Sequence, residues 1–158
     1  MDDLRRLLAE RACERLLYTY SALVDFGQAS RLAELFVDDG IWEADELVLH
    51  GRDAIREHFA RRERIVRRVS RHACTNVVVD VTSETTARGL CYFLNFRHDR
   101  PDGDTSLPAP ARLPKYSGEY RDEFVHTQDG WRIARHHVDV TFLRSPTAVS
   151  GGPAGGGA

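Results

Sequence analysis

The sequence predicts an α+β fold, in which three N-terminal helices pack in a strongly curved mixed or antiparallel sheet that forms a cone-shaped barrel. Apolar residues recur at helical spacing in the first part of the chain and again near residue 60. Long runs typical of strands follow, and helices followed by a strand meander are typical of α+β proteins. The predicted strands reach 13 residues, long enough to curl around a helix. The 158 residues match one domain.

The helices are predicted from apolar spacing and end signals. The first runs from Asp2 to about Phe26, because acidic residues suit a helix start and Gly27 suits a stop. Its apolar stripe is predicted to be Leu4, Leu7, Leu8, Ala12, Leu16, Ala22 and Leu23. A short second helix is capped by Ser30. A third runs from Ala54 to about Arg68, with a stripe of Ile55, Phe59 and Ile65.

The strands are predicted from apolar runs and from turn residues between them. The turn at residues 38–40, Asp-Asp-Gly, precedes a short strand with Ile41 and Trp42, and Leu47 to His50 returns from it. Asp129 and Gly130 predict a tight hairpin between the last two of the long strands. The four long strands are predicted at residues 72–80, 86–98, 116–128 and 131–143.

Two segments lie outside this pattern. Residues 99–114 contain four prolines and predict a long loop, which can serve as a lid or an oligomer contact. Residues 145–158 are rich in Gly, Pro and Ala and predict a disordered tail. The folded domain is therefore predicted at residues 1–144.

Composition restricts the possible partners. The formal net charge of −2 predicts no strong attraction for nucleic acid or for acidic membranes, and no run approaches a membrane span. The arginine run over residues 61–71 is interpreted as a solvated helix face or subunit contact. Three cysteines without paired spacing predict free thiols and a cytoplasmic location. His136 and His137 point to opposite faces of a strand, and no metal-ligand pattern occurs, so no metal is expected.

Several motifs together resemble a known family. They are Tyr20-x4-Asp25, the run Arg71-His72-x3-Asn76, and the final Asp129-Gly130-Trp131-Arg132-Ile133 hairpin. Residues 4 to 144 resemble the SnoaL-like branch of the nuclear transport factor 2-like superfamily, and within it scytalone dehydratase, bile-acid 7α-dehydratase and hexachlorocyclohexane dehydrochlorinase. The resemblance implies an Asp25–His72 catalytic pair, with Tyr20 as a third site residue. Asn95 lies about where the bile-acid enzymes carry a second acid, so the chain departs from them there.

The chemistry of the pair supports the same interpretation. An aspartate that accepts from one imidazole nitrogen fixes the tautomer and stabilises the imidazolium, which leaves the other nitrogen to take a proton from substrate. A neutral tyrosine can donate to a leaving hydroxyl or an enolate. Without the resemblance, Asp25 would be interpreted as a solvated helix-end residue and Tyr20 as core.

Strand alternation adds candidates for substrate binding. His72 and Asn76 are predicted to share a face of the first long strand. The candidates on the three strands are Asn76, Tyr92, Asn95, Tyr120 and Phe124.

The leading hypothesis is a cofactor-independent lyase of the dehydratase type, acting on a small apolar cyclic or polyketide-like substrate. An isomerase or cyclase could use the same pair, and a non-catalytic binding or assembly module is the alternative from another class. Because the open face of a curved sheet usually needs covering, a homodimer or homotrimer is expected.

Overall fold

The computed structural model describes residues 1–145, so the predicted tail beyond Ser145 lies outside the described residues. Three helices precede or flank a six-stranded sheet. The helices are α1 (Asp3–Asp25), a 3-10 helix (Ala29–Leu35) and α2 (Arg52–Glu63). The strands are β1 (Phe36–Ala44), β2 (Leu47–His50), β3 (Arg68–Val81), β4 (Thr86–Asp99), β5 (Tyr116–Thr127) and β6 (Gly130–Leu143).

The sheet is mixed and open. Its strand order is β2-β1-β6-β5-β4-β3; β1 and β6 run parallel, and every other neighbouring pair is antiparallel. The α+β prediction is therefore confirmed. The cone-shaped barrel is not, because β2 and β3 remain as free edges in the described chain.

Helix α1 begins and ends where the sequence predicts. Asp2 caps it, its carboxylate accepting from the backbone N–H of Arg5 at 2.9 Å, and Gly27 follows its end with φ of 74°. The predicted apolar stripe is right only in part. Ala12, Leu16 and Leu23 are partly buried against the core, whereas Leu4, Leu7, Leu8 and Ala22 are exposed. The buried stripe of the helix is Ala9, Cys13, Leu17, Tyr20 and Val24. Adjacent apolar residues in this helix make both stripes compatible with helical spacing.

Helix α2 is shorter than predicted. It ends at Glu63, and Arg68, the predicted last residue of the helix, is instead the first residue of β3, opposite Asp99 of β4. Ile55 and Phe59 of the predicted stripe are buried, whereas Ile65 lies beyond the helix end.

Two strands contain irregularities that the sequence did not predict. The predicted turn at residues 38–40 lies inside β1, where the register with β6 shifts between Phe36 and Ile41. In β3 the register with β4 shifts between Thr75 and Val78, and Asn76 adopts a positive φ of 52°. This bulge reverses which residues of β3 face the core beyond Thr75. The hairpin turn before β6 comprises Gln128 and Asp129, one position earlier than predicted.

Candidate active site

A cavity of about 410 Å³ lies between the inner face of the sheet and the helices α1 and α2. This volume is in the range of small-molecule sites. Six Phe, Tyr and Trp side chains line it: Tyr20, Trp42, Phe59, Phe93, Tyr116 and Tyr120. The polar and charged groups are concentrated on β3, β4 and α2. The cavity therefore offers an apolar body with polar groups on one side.

Asp25 and His72 meet at this cavity. Asp25 is the last residue of α1, and His72 lies near the start of β3. The His72 Nδ1 atom is 2.7 Å from Asp25 Oδ1, and the His72 backbone N–H donates to Asp25 Oδ2 at 2.6 Å. The side chains are 5% exposed for Asp25 and 14% for His72. The backbone bond fixes the carboxylate, which in turn fixes the imidazole ring.

Asn95 occupies the other nitrogen of His72. Its Nδ2 atom lies 2.5 Å from His72 Nε2, directly across the β3–β4 ladder. An amide donor on Nε2 and a carboxylate on Nδ1 fit a neutral imidazole that carries its hydrogen on Nδ1. The Oδ1 atom of Asn95 is buried and accepts no hydrogen bond from the described residues.

A chain of hydrogen bonds supports Asp25 from α2. The Ser70 hydroxyl donates to Asp25 Oδ1 at 2.9 Å, and Arg62 Nη2 donates to Ser70 Oγ at 3.3 Å. Burial alone would raise the pKa of Asp25, but the hydrogen bonds from the ring and backbone of His72, the positive charge of the ring when it is protonated, and the Ser70 bond hold that pKa below its ordinary value. The carboxylate is thus ionised beside the ring at neutral pH.

Two tyrosines, Tyr20 and Tyr120, are in contact with each other in the wall of the cavity. Tyr20 accepts a hydrogen bond from Trp42 Nε1 at 2.9 Å, so its own hydroxyl hydrogen remains available to another acceptor. The rings of Tyr20 and Tyr120 meet edge to face with centroids 5.8 Å apart. Burial raises the pKa of both phenols, so each is a neutral donor.

Three of the predicted substrate-binding residues lie outside the cavity. Asn76 is exposed at the β3 bulge, which turns its side chain away from the face of His72. Tyr92 is 48% exposed on the outer face of the sheet, as alternation from Phe93 requires. Phe124 is buried in the core against Gly89 but does not line the cavity. The structure brings together the other five: Tyr20, Asp25, His72, Asn95 and Tyr120.

Ser70 and Arg62 were missed by the sequence analysis, although signals for both exist. Ser70 lies two residues before His72 and shares its face of β3. Arg62 lies three residues after Phe59, on the buried face of α2. The prediction that the arginine run is a solvated helix face or subunit contact is therefore wrong for Arg62 and Arg68, which line the cavity.

A second histidine–aspartate pair lies deeper in the core. His136 and Asp122 are fully buried, with His136 Nδ1 2.7 Å from Asp122 Oδ1. The His136 ring packs against both tyrosines, with centroids 4.4 Å from Tyr20 and 4.7 Å from Tyr120. His137 points to the other face, as predicted. Because neither member of the buried pair lines the cavity, we assign the pair to the packing behind the tyrosines.

Within residues 1–145, no cluster of three or more His, Cys, Asp or Glu side chains is arranged to hold a metal ion. The three cysteines, all within this range, are free. In the same part of the chain, no helix is long and apolar enough to cross a membrane.

Comparison with known families decides the identity of this fold. A model of the SnoaL-like domain matches residues 5–137, which is most of the chain. The chain belongs to the SnoaL-like family. The resemblance predicted from the sequence motifs is therefore confirmed. No curated protein matches the chain.

Solved structures agree with the SnoaL-like fold. A protein proposed to be a scytalone dehydratase, from Novosphingobium aromaticivorans, superposes with a TM-score of 0.75 at 24% identity over 98% of each chain. An NTF2-like protein with a cystatin-like fold from the same organism gives 0.69 at 26% identity, over 85% of this chain and 82% of the other. A hexachlorocyclohexane dehydrochlorinase from Novosphingobium barchaimii gives 0.73 at 17% identity, over 96% and 99%. At these identities the likeness describes the fold.

Proposed function

We propose that this SnoaL-like protein is a cofactor-independent lyase that eliminates water from a small cyclic or polyketide-like substrate. The observation that carries the proposal is the Asp25–His72 pair, which holds an imidazole with its second nitrogen at the wall of an aromatic cavity. Two of the structural neighbours are named for elimination reactions, dehydration and dehydrochlorination. The cavity volume fits one or two fused rings.

In the proposed reaction, His72 is the base. Substrate binding displaces the Asn95 amide from His72 Nε2, and that lone pair takes a proton from a carbon next to a carbonyl. The carbanion electrons form the new C=C bond as the β-hydroxyl leaves. Asp25 stabilises the imidazolium that forms, and the displaced Asn95 amide is free to bind a substrate oxygen.

Tyr20 is the proposed acid for the leaving group. Its hydroxyl accepts from Trp42, which orients the remaining O–H hydrogen. A proton given by Tyr20 to the departing hydroxyl produces water, and the proton held by His72 restores the phenol. Reactants and products balance as substrate to alkene plus water, with no electron acceptor required.

The decisive experiment follows proton abstraction and loss of water together. Cyclic β-hydroxyketones are incubated with the protein in D₂O; NMR measures exchange of the proton beside the carbonyl, and mass spectrometry measures loss of water. We expect both with the wild type, and a loss of at least about 10²-fold in both for His72→Gln. The matched control is His50→Gln, because His50 is exposed on β2, away from the cavity.

Each other outcome identifies a different function. Exchange that depends on His72 without loss of water, so that the product mass rises only by the deuterium taken up, indicates an isomerase using the same pair or a cyclase that retains the oxygen. Exchange that persists in His72→Gln, in a variant whose thermal melting shows it folded, contradicts the proposed base. Ligand binding without exchange in the wild type indicates a non-catalytic binding module.

We further propose a cytoplasmic location, which the free thiols Cys13, Cys74 and Cys91 favour, since unpaired cysteines are typical of reducing compartments.

A further inference from the structure

Three guanidinium groups line the same side of the cavity. Arg68 and Arg97 both bind Asp99, with Arg68 Nε 2.8 Å from Oδ1 and Arg97 Nη2 2.6 Å from Oδ2. Arg62 forms no ion pair with any of the described residues, and its one hydrogen bond goes to the neutral hydroxyl of Ser70. The Asp99 carboxylate therefore pairs with two of the three guanidiniums on this wall, and Arg62 is left without a carboxylate partner among the described residues.

The two other acids near this wall do not balance its charge. Asp25 lies behind His72, outside the lining of the cavity, and already accepts three hydrogen bonds, from Ser70 and from the backbone and ring of His72. Asp45 lines the cavity, but it lies in the turn between β1 and β2 and is exposed to solvent. Burial, and then the positive charges of Arg68 and Arg97, lower the pKa of Arg62. A guanidinium in this environment gains from an anion that shares its site.

The strand register fixes where such an anion would lie relative to the pair. Ser70 is opposite Arg97, and His72 is opposite Asn95, so the arginine layer is two residues along the ladder from the reacting nitrogen. Two residues of a strand span about 7 Å. A substrate could therefore present a reacting carbon to His72 and an anionic group to Arg62 at the same time.

We propose that Arg62, flanked by Arg68 and Arg97, binds the carboxylate of a cyclic or aromatic carboxylic acid. The planar fork of a guanidinium matches a carboxylate in two parallel hydrogen bonds, and the aromatic wall takes the ring. The proposal that this site binds a carboxylate does not depend on which reaction the protein catalyses. The proposal that such an acid is the substrate rests on the proposed function.

The test compares a carboxylate with its uncharged isostere. Calorimetry measures binding of 2-naphthoate and 2-naphthamide, at pH 7 and low salt, to the wild type, Arg62→Gln and Arg64→Gln. We expect the wild type to prefer 2-naphthoate at least about 10-fold, and Arg62→Gln to reduce that preference to about 2-fold or less. The control Arg64→Gln removes an exposed arginine that caps the end of α2 and lies outside the cavity, so it keeps the preference.

The ratio of the two affinities isolates charge recognition, because a disturbed Asp25–His72 pair would affect both ligands alike. Thermal melting checks that Arg62→Gln is folded; Arg62→Lys, which keeps the charge and loses the fork, is expected to give an intermediate ratio. No preference in the wild type, no binding of 2-naphthoate at millimolar concentration, or an unchanged ratio in Arg62→Gln would overturn the inference.

A further variant separates this inference from the proposed reaction. His72→Gln is expected to keep the preference for 2-naphthoate while losing proton exchange. If the preference exists but no exchange is found with any ketone, the anion site stands and the proposed lyase fails. If exchange depends on His72 but the carboxylate preference is absent, the lyase stands and this inference fails.

Discussion

At the scale of single residues, both ring nitrogens of His72 are occupied before any substrate arrives. Asp25 binds Nδ1, and Asn95 binds Nε2. In the proposed reaction, the first bond stabilises the charge that His72 acquires, whereas the second must break before His72 can take a proton. Asn95 would therefore set how easily Nε2 becomes available. Its Oδ1 atom, buried without a hydrogen-bond donor among the described residues, favours a rotation of the amide once His72 is protonated.

Asp25→Asn tests how much the ionised carboxylate of Asp25 contributes to the free energy of unfolding. Asp25 accepts three hydrogen bonds, and an amide replaces one accepting oxygen with a donor that faces other donors. We expect the variant to lower the free energy of unfolding by about 2 kcal/mol at pH 5. The folded-state pKa of Asp25 lies below the unfolded value of about 3.9, so its contribution is present above that value and is lost as pH falls through the folded pKa. Urea unfolding at pH 5 and pH 3.5 measures the difference, which should shrink at the lower pH.

The control for this measurement is Asp102→Asn. The Asp102 side chain is 93% exposed, and its ion pair with Arg67 lies on the surface, so the change is expected to stay within about 0.5 kcal/mol. A difference between wild type and Asp25→Asn that is equal at both pH values would contradict the depressed pKa.

The contact between Asp25 and His72 could be predicted from sequence because both residues belong to the motifs that carry the resemblance to the SnoaL-like family. Asn76 could not be placed, because alternation counts residues and cannot detect the extra one that a bulge inserts after Thr75. The same argument explains Ser70: it precedes the bulge, so alternation from His72 would have placed it correctly.

At the scale of elements, the approach of β5 to β6 depends on one glycine. A Cβ atom at Gly118 would lie 1.9 Å from the backbone oxygen of Asp139, at a register shift between the two strands. Gly118 pairs on its other side with Phe93, which lines the cavity. Backbone, unlike a flexible side chain, cannot move aside without separating the strands.

Gly118→Ala is therefore expected to lower the free energy of unfolding by about 3 kcal/mol, at the upper end of the usual range for overpacking. Chemical denaturation followed by circular dichroism measures it. Ser117→Ala is the neighbouring control, on the outer face of the same strand, and should change stability by no more than about 0.5 kcal/mol. Equal midpoints for Gly118→Ala and wild type would show that the strands have room to separate.

Element boundaries differed from prediction where pairing outweighed local preference. The arginine run has helical propensity through Arg68, yet the chain leaves α2 at Glu63. Arg68 and the residues after it pair with β4, which lies some thirty residues further along the chain. The spacing of residues within one segment carries no information about so distant a partner strand.

At the scale of the whole molecule, the outer face of the open sheet carries an apolar patch. Tyr92, Leu94 and Phe96 alternate along β4, and Phe142 of β6 lies across Ser117 from Leu94. All four are between 37% and 71% exposed. Patches of this kind on a sheet mark interaction sites.

We propose that a second copy of this chain covers the patch. Acidic and basic side chains alternate beside it, with Glu119 opposite Tyr92 and Arg121 paired to Asp139 at 2.8 Å. A two-fold axis brings the same surface of two chains together. A surface that carries both positive and negative side chains can therefore pair its charges with those of a second copy. The expected assembly is a homodimer, or a homotrimer if the rotation closes at three.

Light scattering after size-exclusion chromatography, over concentrations from 1 to 100 µM, tests this assembly. The wild type is expected to elute with a multiple of the 17.9 kDa chain mass. Leu94→Lys places a charge in the centre of the patch and should shift the protein to monomer, with at least a 10-fold weaker association. Leu4→Lys changes an equally apolar residue, 65% exposed on α1 at the other side of the sheet, and should leave the mass unchanged. A monomeric wild type at 100 µM, or an assembly that withstands Leu94→Lys, would assign the patch to something other than a second copy.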